Sequence, residues 1–461
     1  MRERARRTSI MGKLFGTDGI RGIANEFLDA ELAYKTGRMA AHVLREEGKN
    51  VILIGKDTRR SGDLLEAALV AGITSAGVNT LRLEVIPTPG IAYLTRKLDA
   101  MAGIVISASH NPGEYNGLKI FSHDGFKLPD ATEERIEELI LAEEDTLPSP
   151  TGGKVGTSLP EEHHRKDYID YLVAQCEYDL TGLTIALDCA HGATYEIAPE
   201  VFERLGAKVI AINREPDGMN INRGCGSTNP EIIEKLVIES GADVGFAFDG
   251  DGDRVMAVDE KGKLMDGDHI LAATSLFLKK RGALKHDTIV GTVMSNLGLL
   301  KFCEEKGLNF VSAAVGDRYV LEEMRKHGYV LGGEQSGHII FFDKSTTGDG
   351  ILTAVEVLNA MREKNAPLSE LSSYMKSYPQ VLVNAFVEEK KKRDYLEDEV
   401  IREAIEKLER TFDGQGRVLI RPSGTEPLVR VMIEGKDSAQ IETEARELAQ
   451  LIEERLGGNH V

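Results

Sequence analysis

The sequence predicts an α/β protein: three similar mixed α/β domains around a central cleft, followed by a smaller C-terminal α+β domain. Two observations favour this class. Short runs of β-branched residues alternate with helical stretches in three successive sets, and each set ends in a polar, glycine-rich loop. After a proline-bounded segment at 367–379, the pattern changes to strand, helix, two strands and helix. With 461 residues the chain is long enough for three or four domains.

The first set predicts a domain at 11–156. Its elements are a strand at 51–54, a helix at 64–76, a strand at 103–106, a helix at 132–144 and a Pro/Gly/Ser-rich linker at 147–156. Residues 1–10 contain four arginines but no apolar run. We therefore predict a disordered extension there rather than a secretory signal.

The remaining sets predict domains at 157–262, 263–370 and 371–461. In the second domain we expect helices at 168–176, 197–205 and 232–239, and strands at 183–187, 209–212 and 244–248. In the third we expect helices at 270–280, 297–306 and 320–326, and strands at 288–293, 310–314 and 329–331. The fourth has strands at 381–387, 417–420 and 428–433, and helices at 395–410 and 439–456. Ligands of such sheets bind at loops beyond the strand ends, so three comparable polar loops predict one shared cleft.

The composition argues against several classes of protein. A formal net charge of -19 disfavours a nucleic-acid-binding protein, and the absence of Trp disfavours an aromatic platform for single strands. No apolar run reaches the ~18 residues of a membrane-spanning helix, and the four cysteines have no C-x-x-C spacing. We expect a cytoplasmic protein, and a site for any phosphorylated ligand must then carry its own Arg and Lys residues.

The motif Asp249-Gly-Asp251-Gly-Asp253-Arg254 follows a predicted strand. Glycines between the carboxylates let the backbone turn tightly, so the oxygens can converge on one hard cation, and Mg²⁺ with a phosphate oxygen in an open position fits best. Arg254 has donors for that phosphate. An EF-hand calcium loop is excluded although Glu260 stands at its twelfth position, because the sixth position must be Gly and is Arg254.

A second motif, Ser107-Ala-Ser109-His110-Asn-Pro112, ends a predicted strand and precedes Asn116-Gly-Leu-Lys119. The chain has no G-x-S-x-G motif, which disfavours a serine hydrolase. Alone, the loop is equally compatible with a plain Ser/Asn turn. Together with a metal loop it favours a phosphorylated Ser109, because that group needs a cation and Arg or Lys to neutralise its charge.

Four further loops are candidates for ligand binding. The Gly333-Glu-Gln-Ser-Gly-His338 loop has acceptors for sugar hydroxyls or an amine, although by itself it is more typical of a plain strand-to-turn connection. The 421–427 loop, Arg-Pro-Ser-Gly-Thr-Glu-Pro, is more typical of an anion nest than of a structural turn. The loops at 16–22 and 57–61 are compatible with surface turns, although Arg21 could add positive charge to the cleft. Walker-type and G-x-G-x-x-G motifs are absent, which disfavours a nucleotide-driven kinase or a dehydrogenase.

In this order, the serine, DGDGDR and RPSGTEP loops resemble the α-D-phosphohexomutase family from residue 11 to the C-terminus. The resemblance implies a phosphosugar mutase, a homodimer, and one Mg²⁺ per subunit on Asp249, Asp251, Asp253 and phosphorylated Ser109. The catalytic candidates are then Ser109, Lys119, Arg21 and His110. The remaining candidates bind substrate (Arg254, Glu334, Gln335, Ser336, His338) or phosphate (Arg421, Ser423, Gly424, Thr425, Arg430).

Gln335 assigns the chain to a branch of this family. The G-E-Q-S-G-H loop of this chain resembles the loop of family members that act on glucosamine phosphates. Members that act on glucose or mannose phosphates usually have Met at the position of Gln335. The expected reaction interconverts glucosamine 6- and 1-phosphate through glucosamine 1,6-bisphosphate, the intermediate and activator. The alternatives are a glucose or mannose phosphate mutase of the same family, or a non-catalytic phosphosugar-binding protein.

Overall fold

The computed structural model describes residues 14–16, 18–46, 48–160, 163–423 and 426–457, so the predicted extension at 1–10 lies outside the described residues. The chain forms two compact units. One comprises the described parts of Met1–Met294 and Leu308–Tyr374, and the other comprises Ser295–Gly307 and the described part of Met375–Val461. No helix within the described ranges is long and apolar enough to cross a membrane.

The first sheet has six strands in the order β1-β5-β4-β2-β3-β6. β2, β3, β4 and β6 pair in parallel, whereas β5 runs antiparallel to both β4 and β1. Its strands are β1 (Ile20–Ile23), β2 (Val51–Lys56), β3 (Asn79–Val85), β4 (Ala102–Ile106), β5 (Tyr115–Ser122) and β6 (Ser158–Pro160). Its helices are α1 (Ala30–Val43), α2 (Gly62–Ser75), α3 (Thr88–Lys97) and α4 (Asp130–Leu141), and α5 (His164–Gln175) follows.

The second sheet has five strands in the order β11-β10-β9-β7-β8. β7 pairs in parallel with β8 and β9, and β9 pairs antiparallel with β10. Its strands are β7 (Thr184–Asp188), β8 (Lys208–Ile212), β9 (Val244–Phe248), β10 (Val255–Asp259) and β11 (Leu264–Met265), with helices α6 (Ile197–Arg204) and α7 (Glu231–Ser240). The DGDGDR loop therefore connects two paired strands, whereas an EF-hand loop connects two helices.

The third sheet has four strands in the order β13-β12-β14-β15, with β14 parallel to β12 and antiparallel to β15. Its strands are β12 (Thr288–Thr292), β13 (Asn309–Ala313), β14 (Leu331–Gly333) and β15 (Ile339–Phe341). The helices of this region are α8 (Gly267–Lys280), α9 (Leu297–Lys306), α10 (Asp317–His327), α11 (Gly350–Lys364) and α12 (Leu368–Ser372), of which α9 belongs to the second unit.

The three sheets share one local topology. In each sheet, one strand pairs in parallel with one neighbour and ends in a polar loop. After this loop the chain returns as an antiparallel strand on the other side. The three strands are β4, β9 and β14. This repeat confirms the predicted class of three mixed α/β layers. It also explains why each sequence set ends in a polar loop, since the backbone groups lose their partners in the sheet where the chain reverses and need polar partners instead.

The second unit contains a three-stranded antiparallel sheet in the order β16-β18-β17. Its elements are β16 (Gln380–Phe386), α13 (Glu399–Phe412), β17 (Arg417–Pro422), β18 (Leu428–Glu434) and α14 (Ser438–Leu456). The inward side chains of β18 alternate along the strand and form a hydrophobic core with the apolar face of α14. The predicted order of strand, helix, two strands and helix is confirmed.

Candidate active site

The serine loop follows β4 and holds Ser109 in a left-handed backbone conformation, with φ 52°. This conformation is costly for a residue with a Cβ, and it persists only where the surroundings fix it. Here the Ser109 N–H donates to Ser107 Oγ at 2.9 Å, and its carbonyl accepts from Arg59 at 3.0 Å and Asn222 at 2.9 Å. The buried Arg59 is in turn held by Asp57, with Arg59 Nε 2.8 Å from the carboxylate.

The position of Arg59 excludes a surface turn at 57–61, an alternative that the sequence left open. Its side chain is fully buried, and its guanidinium also donates to the carbonyls of Asn111, Pro112 and Tyr115. It therefore supports the backbone on both sides of Ser109. The sequence offered only a weak signal, the pair of Asp57 and Arg59 two residues apart.

The three aspartates of the DGDGDR loop converge as predicted. One carboxylate oxygen from each of Asp249, Asp251 and Asp253 lies within 4.8 Å of the other two. Asp251 Oδ1 and Asp253 Oδ1 are buried without a hydrogen-bond partner. Buried anionic oxygens that face one another without donors are unstable unless a cation joins them, so this oxygen-only set fits a hard divalent metal.

The serine loop and the metal loop touch directly. Ser109 Oγ donates to Asp249 Oδ2 at 2.7 Å. A Cβ on Gly250 would lie 2.5 Å from the Ser109 carbonyl oxygen, so only glycine lets the two loops approach this closely. Burial, together with Asp253 and Asp251, raises the pKa of Asp249 well above its ordinary range.

Basic residues surround the carboxylates. Lys119 Nζ lies 2.8 Å from Asp251, 3.3 Å from Asp18 and 3.7 Å from Asp253, and it is 2% exposed. Burial would lower the pKa of Lys119, but Asp18 and Asp251 raise it, so the ammonium stays charged. Arg21 pairs with Asp18 and has a buried Nε without a partner. The local positive charge that the acidic chain requires is thus present.

A closed ring of alternating charges links three of the sheets. From Lys119, the ring passes through Asp18 to Lys127, with 2.5 Å between the last two. Lys127 lies 2.7 Å from Asp317, and His338 lies 3.6 Å from Asp317 and 3.5 Å from Asp253, which returns to Lys119. Asp18 lies in the candidate loop at 16–22, but sequence analysis missed Lys127 and Asp317, because no motif relates residues so far apart in the chain.

His110 lies beside the serine hydroxyl, with 3.4 Å between His110 Nδ1 and Ser109 Oγ. Burial lowers the pKa of His110, and the nearby Arg254 acts in the same direction. The imidazole is therefore mostly neutral at pH 7 and has a nitrogen that can accept a proton.

The 333–338 loop lies against the metal loop. The Gly337 carbonyl accepts from Val255 N–H at 3.1 Å, and His338 faces Asp253. Glu334 Oε1 accepts from Gly316 N–H at 3.2 Å, and Gln335 Nε2 donates to Asp266 at 3.1 Å. Ser336 is half-buried in the same turn.

The predicted phosphate loop belongs to the second unit. Arg421 and Arg430 face each other across the antiparallel pair β17–β18, and Arg421 Nε is buried without a partner. Like charges at directly opposed positions destabilise a sheet unless an anion neutralises them. Ser423 is buried and its Oγ accepts from Glu426 N–H at 3.2 Å. Gly424 and Thr425 lie outside the described residues.

Four family models match the chain. They are the phosphoglucomutase/phosphomannomutase alpha/beta/alpha domains I, II and III at 12–147, 166–262 and 266–378, and the C-terminal domain of the same family at 382–451. Together they span most of the chain and include every loop described above.

Individual relatives agree. The phosphoglucosamine mutases of Acetivibrio thermocellus and Finegoldia magna are 58% and 56% identical to this chain, over 97% and 96% of it and over 100% and 99% of their own lengths. Among solved structures, a phosphoglucomutase/phosphomannomutase family protein from Burkholderia thailandensis has a TM-score of 0.79 at 23% identity, covering 96% of this chain and 98% of its own. An N-acetylphosphoglucosamine mutase of Aspergillus fumigatus, solved with GlcNAc-6P and magnesium, has a TM-score of 0.68 at 17% identity and covers 98% of both chains.

Proposed function

Because the chain belongs to the phosphoglucomutase/phosphomannomutase family, we propose that it acts as a phosphoglucosamine mutase, interconverting glucosamine 6-phosphate and glucosamine 1-phosphate. The observation that carries the proposal is the placement of Ser109. Its buried hydroxyl, on a strained turn, lies 2.7 Å from a three-aspartate cluster suited to a divalent cation. The names of relatives at 56–58% identity favour glucosamine phosphate over other sugars.

In the proposed reaction, phosphorylated Ser109 transfers its phosphoryl group to the free hydroxyl of the sugar phosphate. The bond from phosphorus to Ser109 Oγ breaks, a bond to the sugar oxygen forms, and the hydroxyl proton passes to a base. The product is glucosamine 1,6-bisphosphate. It turns over and returns its other phosphoryl group to Ser109, so the enzyme ends as it began. Catalysis of this kind depends on positioning and charge neutralisation.

The proposed cofactor is one Mg²⁺ per chain, bound by Asp249, Asp251, Asp253 and the phosphoserine. When bound, it neutralises negative charge on the transferring phosphoryl group. The surrounding protein residues supply further positive charge and hydrogen-bond donors. Lys119 and Arg254 offer charged donors to the phosphoryl oxygens, and Arg21 adds positive charge beside Asp18.

The acid/base roles follow from the protonation states. Asp18 and Asp251 raise the pKa of Lys119, so its ammonium holds its proton, and we assign it charge stabilisation rather than proton transfer. His110, with its lowered pKa, is the better proton acceptor near Ser109. We assign recognition of the sugar to Glu334, Gln335, Ser336 and His338, and binding of a phosphate to Arg421, Ser423, Gly424, Thr425 and Arg430. The cytoplasmic location and the homodimer stay predictions.

A coupled assay tests the function. The purified protein, with Mg²⁺ and a trace of 1,6-bisphosphate, receives glucosamine, glucose or mannose 6-phosphate in parallel reactions. We expect the highest kcat/KM with glucosamine 6-phosphate. Equal or higher values with glucose or mannose would assign the chain to the general hexose branch of the family. Binding of all three without turnover would favour a non-catalytic phosphosugar-binding protein.

A further inference from the structure

Gln335, the proposed determinant of the amino sugar, is held by a residue from another element. Asp266 precedes α8 and caps it, because its Oδ1 accepts from His269 N–H at 3.1 Å. The same Oδ1 lies 2.6 Å from His269 Nδ1, and its other oxygen, Oδ2, accepts from Gln335 Nε2 at 3.1 Å. One carboxylate thus joins a helix terminus to the sugar loop.

The backbone around this carboxylate leaves little freedom. Gly267 N–H donates to the Gln335 carbonyl at 3.0 Å, and a Cβ on Gly267 would lie only 2.0 Å from the Glu334 carbonyl oxygen. The N-terminus of α8 is therefore pressed against the loop. What remains variable is the amide of Gln335, whose oxygen and nitrogen could exchange places by a half-turn.

The carboxylate decides which way that amide points. An ionised carboxylate has acceptors only, so the Gln335 nitrogen must face Asp266. The other polar atom of this amide, Gln335 Oε1, accepts no hydrogen bond from any described residue. The half-buried side chain consequently offers an acceptor, and the negative charge behind the amide strengthens it.

An acceptor at this position distinguishes the two classes of sugar. The ammonium group of glucosamine has three donors and no acceptor, whereas the hydroxyl of glucose has one donor and can also accept. An ammonium donates a charge-assisted hydrogen bond to Oε1, whereas an amide nitrogen in the same place would repel it. A hydroxyl can pair with either atom. The orientation of the amide therefore sets the preference for the amino sugar.

We propose that Asp266 is a specificity-determining positioning residue, which orients Gln335 so that its oxygen receives the ammonium group of the substrate. The inference rests on the proposed function, since it names how that site selects its substrate. It makes Gln335 dependent on a residue 69 positions earlier in the chain.

The test is Asp266→Asn. The new amide can keep its oxygen on His269 N–H, since Asn caps helices as well as Asp, and its nitrogen then faces Gln335. Gln335 must turn its oxygen inward and present nitrogen to the substrate. We expect kcat/KM for glucosamine 6-phosphate to fall roughly 10- to 100-fold, mainly through KM, because a charge-assisted hydrogen bond is lost. For glucose 6-phosphate the change should be less than about threefold.

Two comparisons separate positioning from structural damage. Asp29→Asn makes the same change at the N-cap of α1, where Asp29 accepts from Leu32 N–H at 2.9 Å, and it should leave the preference unchanged. In a Gln335→Met background, Asp266→Asn should no longer alter the ratio of the two kcat/KM values, because its effect passes through Gln335. Thermal melts check that every variant is folded.

The outcomes are distinguishable. The ratio in the unaltered protein tests the proposed function alone. The change in that ratio on Asp266→Asn tests the inference. An unchanged ratio would overturn it, and so would an equal change in the Gln335→Met background, which would make Asp266 a general support of the loop.

Discussion

Ser109 is the residue at which geometry and chemistry coincide most clearly. Its left-handed backbone is held by hydrogen bonds from Arg59 and Asn222 to its carbonyl. The residue is only 2% exposed, and its hydroxyl donates to Asp249. Strain of this kind persists where a fold keeps a side chain in one direction, and such positions cluster at functional sites.

Ser109→Ala removes the proposed carrier of the phosphoryl group. We expect mutase activity to fall by at least about 1000-fold, because the reaction has no covalent route without the hydroxyl. Peptide mass spectrometry of the unaltered protein should find a phosphoryl group on Ser109. Ser75→Ala, in α2, is the control and should keep full activity. The Ser75 hydroxyl forms hydrogen bonds with Gly72, Tyr34 and Arg38, none of which is assigned to the site. Near-normal turnover by the Ser109 variant would exclude a phosphoserine mechanism.

Asp251→Asn tests the metal site. We expect Mg²⁺ affinity, measured by titration calorimetry, to drop by at least about 10- to 100-fold, the loss typical even of residues that only support a ligand. The variant also loses the charge that pairs with the buried Lys119 at 2.8 Å, so the affinity is measured well below the melting temperatures of both proteins. Asp179→Asn, on an exposed turn, serves as the control. Unchanged Mg²⁺ affinity on Asp251→Asn would place the metal elsewhere.

At the scale of elements, α11 begins at a buried carboxylate. Asp349 caps this helix by accepting from Leu352 N–H at 2.9 Å, and it also accepts from the Tyr168 hydroxyl at 2.8 Å. Burial raises the pKa of Asp349 from its ordinary 3.8 to about 6. The folded protein therefore binds this proton more tightly than the unfolded chain.

The sign of the pH dependence follows. The stabilising contribution of protonated Asp349 is fully present below pH 3.8 and is lost as the pH rises through about 6. A shift of this size corresponds to about 3 kcal/mol. Asp349→Asn keeps the cap but cannot ionise. We expect the melting temperature of the variant minus that of the original protein to be larger at pH 7 than at pH 4.5. A pH-independent difference between the two proteins would contradict the assignment.

At the scale of the whole molecule, the chain consists of two units, and the second has a hydrophobic core of its own. Differential scanning calorimetry should therefore resolve more than one unfolding transition. Ile433, in β18, is fully buried in the second core. Ile433→Ala should destabilise that unit by about 2–5 kcal/mol and lower one transition while another keeps its temperature.

The control for this experiment is Leu382→Ala on the neighbouring strand β16. Leu382 is 50% exposed, so its truncation should cost no more than about 0.5 kcal/mol. A single transition that moves as a whole on Ile433→Ala would mean that the two units unfold together.

Local sequence patterns were sufficient to predict the fold class and the candidate loops of the site. Alternation of β-branched runs with helical stretches predicted most strands and helices, and α9 and β9 were predicted with their observed bounds. Local periodicity failed for α11, since this helix is buried on nearly every side and has no polar face. It also failed for β5, which the serine loop precedes and which reads as an irregular polar segment.

Which of these loops come into contact depends on the packing of the sheets and not on their spacing in the chain. Spacing alone could place three aspartates near one another, because they are two residues apart on a tight turn. It could not pair Ser109 with Asp249, close the charge ring through Lys127 and Asp317, or set Asp266 behind Gln335. Those partners are 60 or more positions apart, and their meeting depends on sheet packing and on glycines such as Gly250 that permit close backbone approach. Sequence fixes which groups are available, and packing fixes which of them meet.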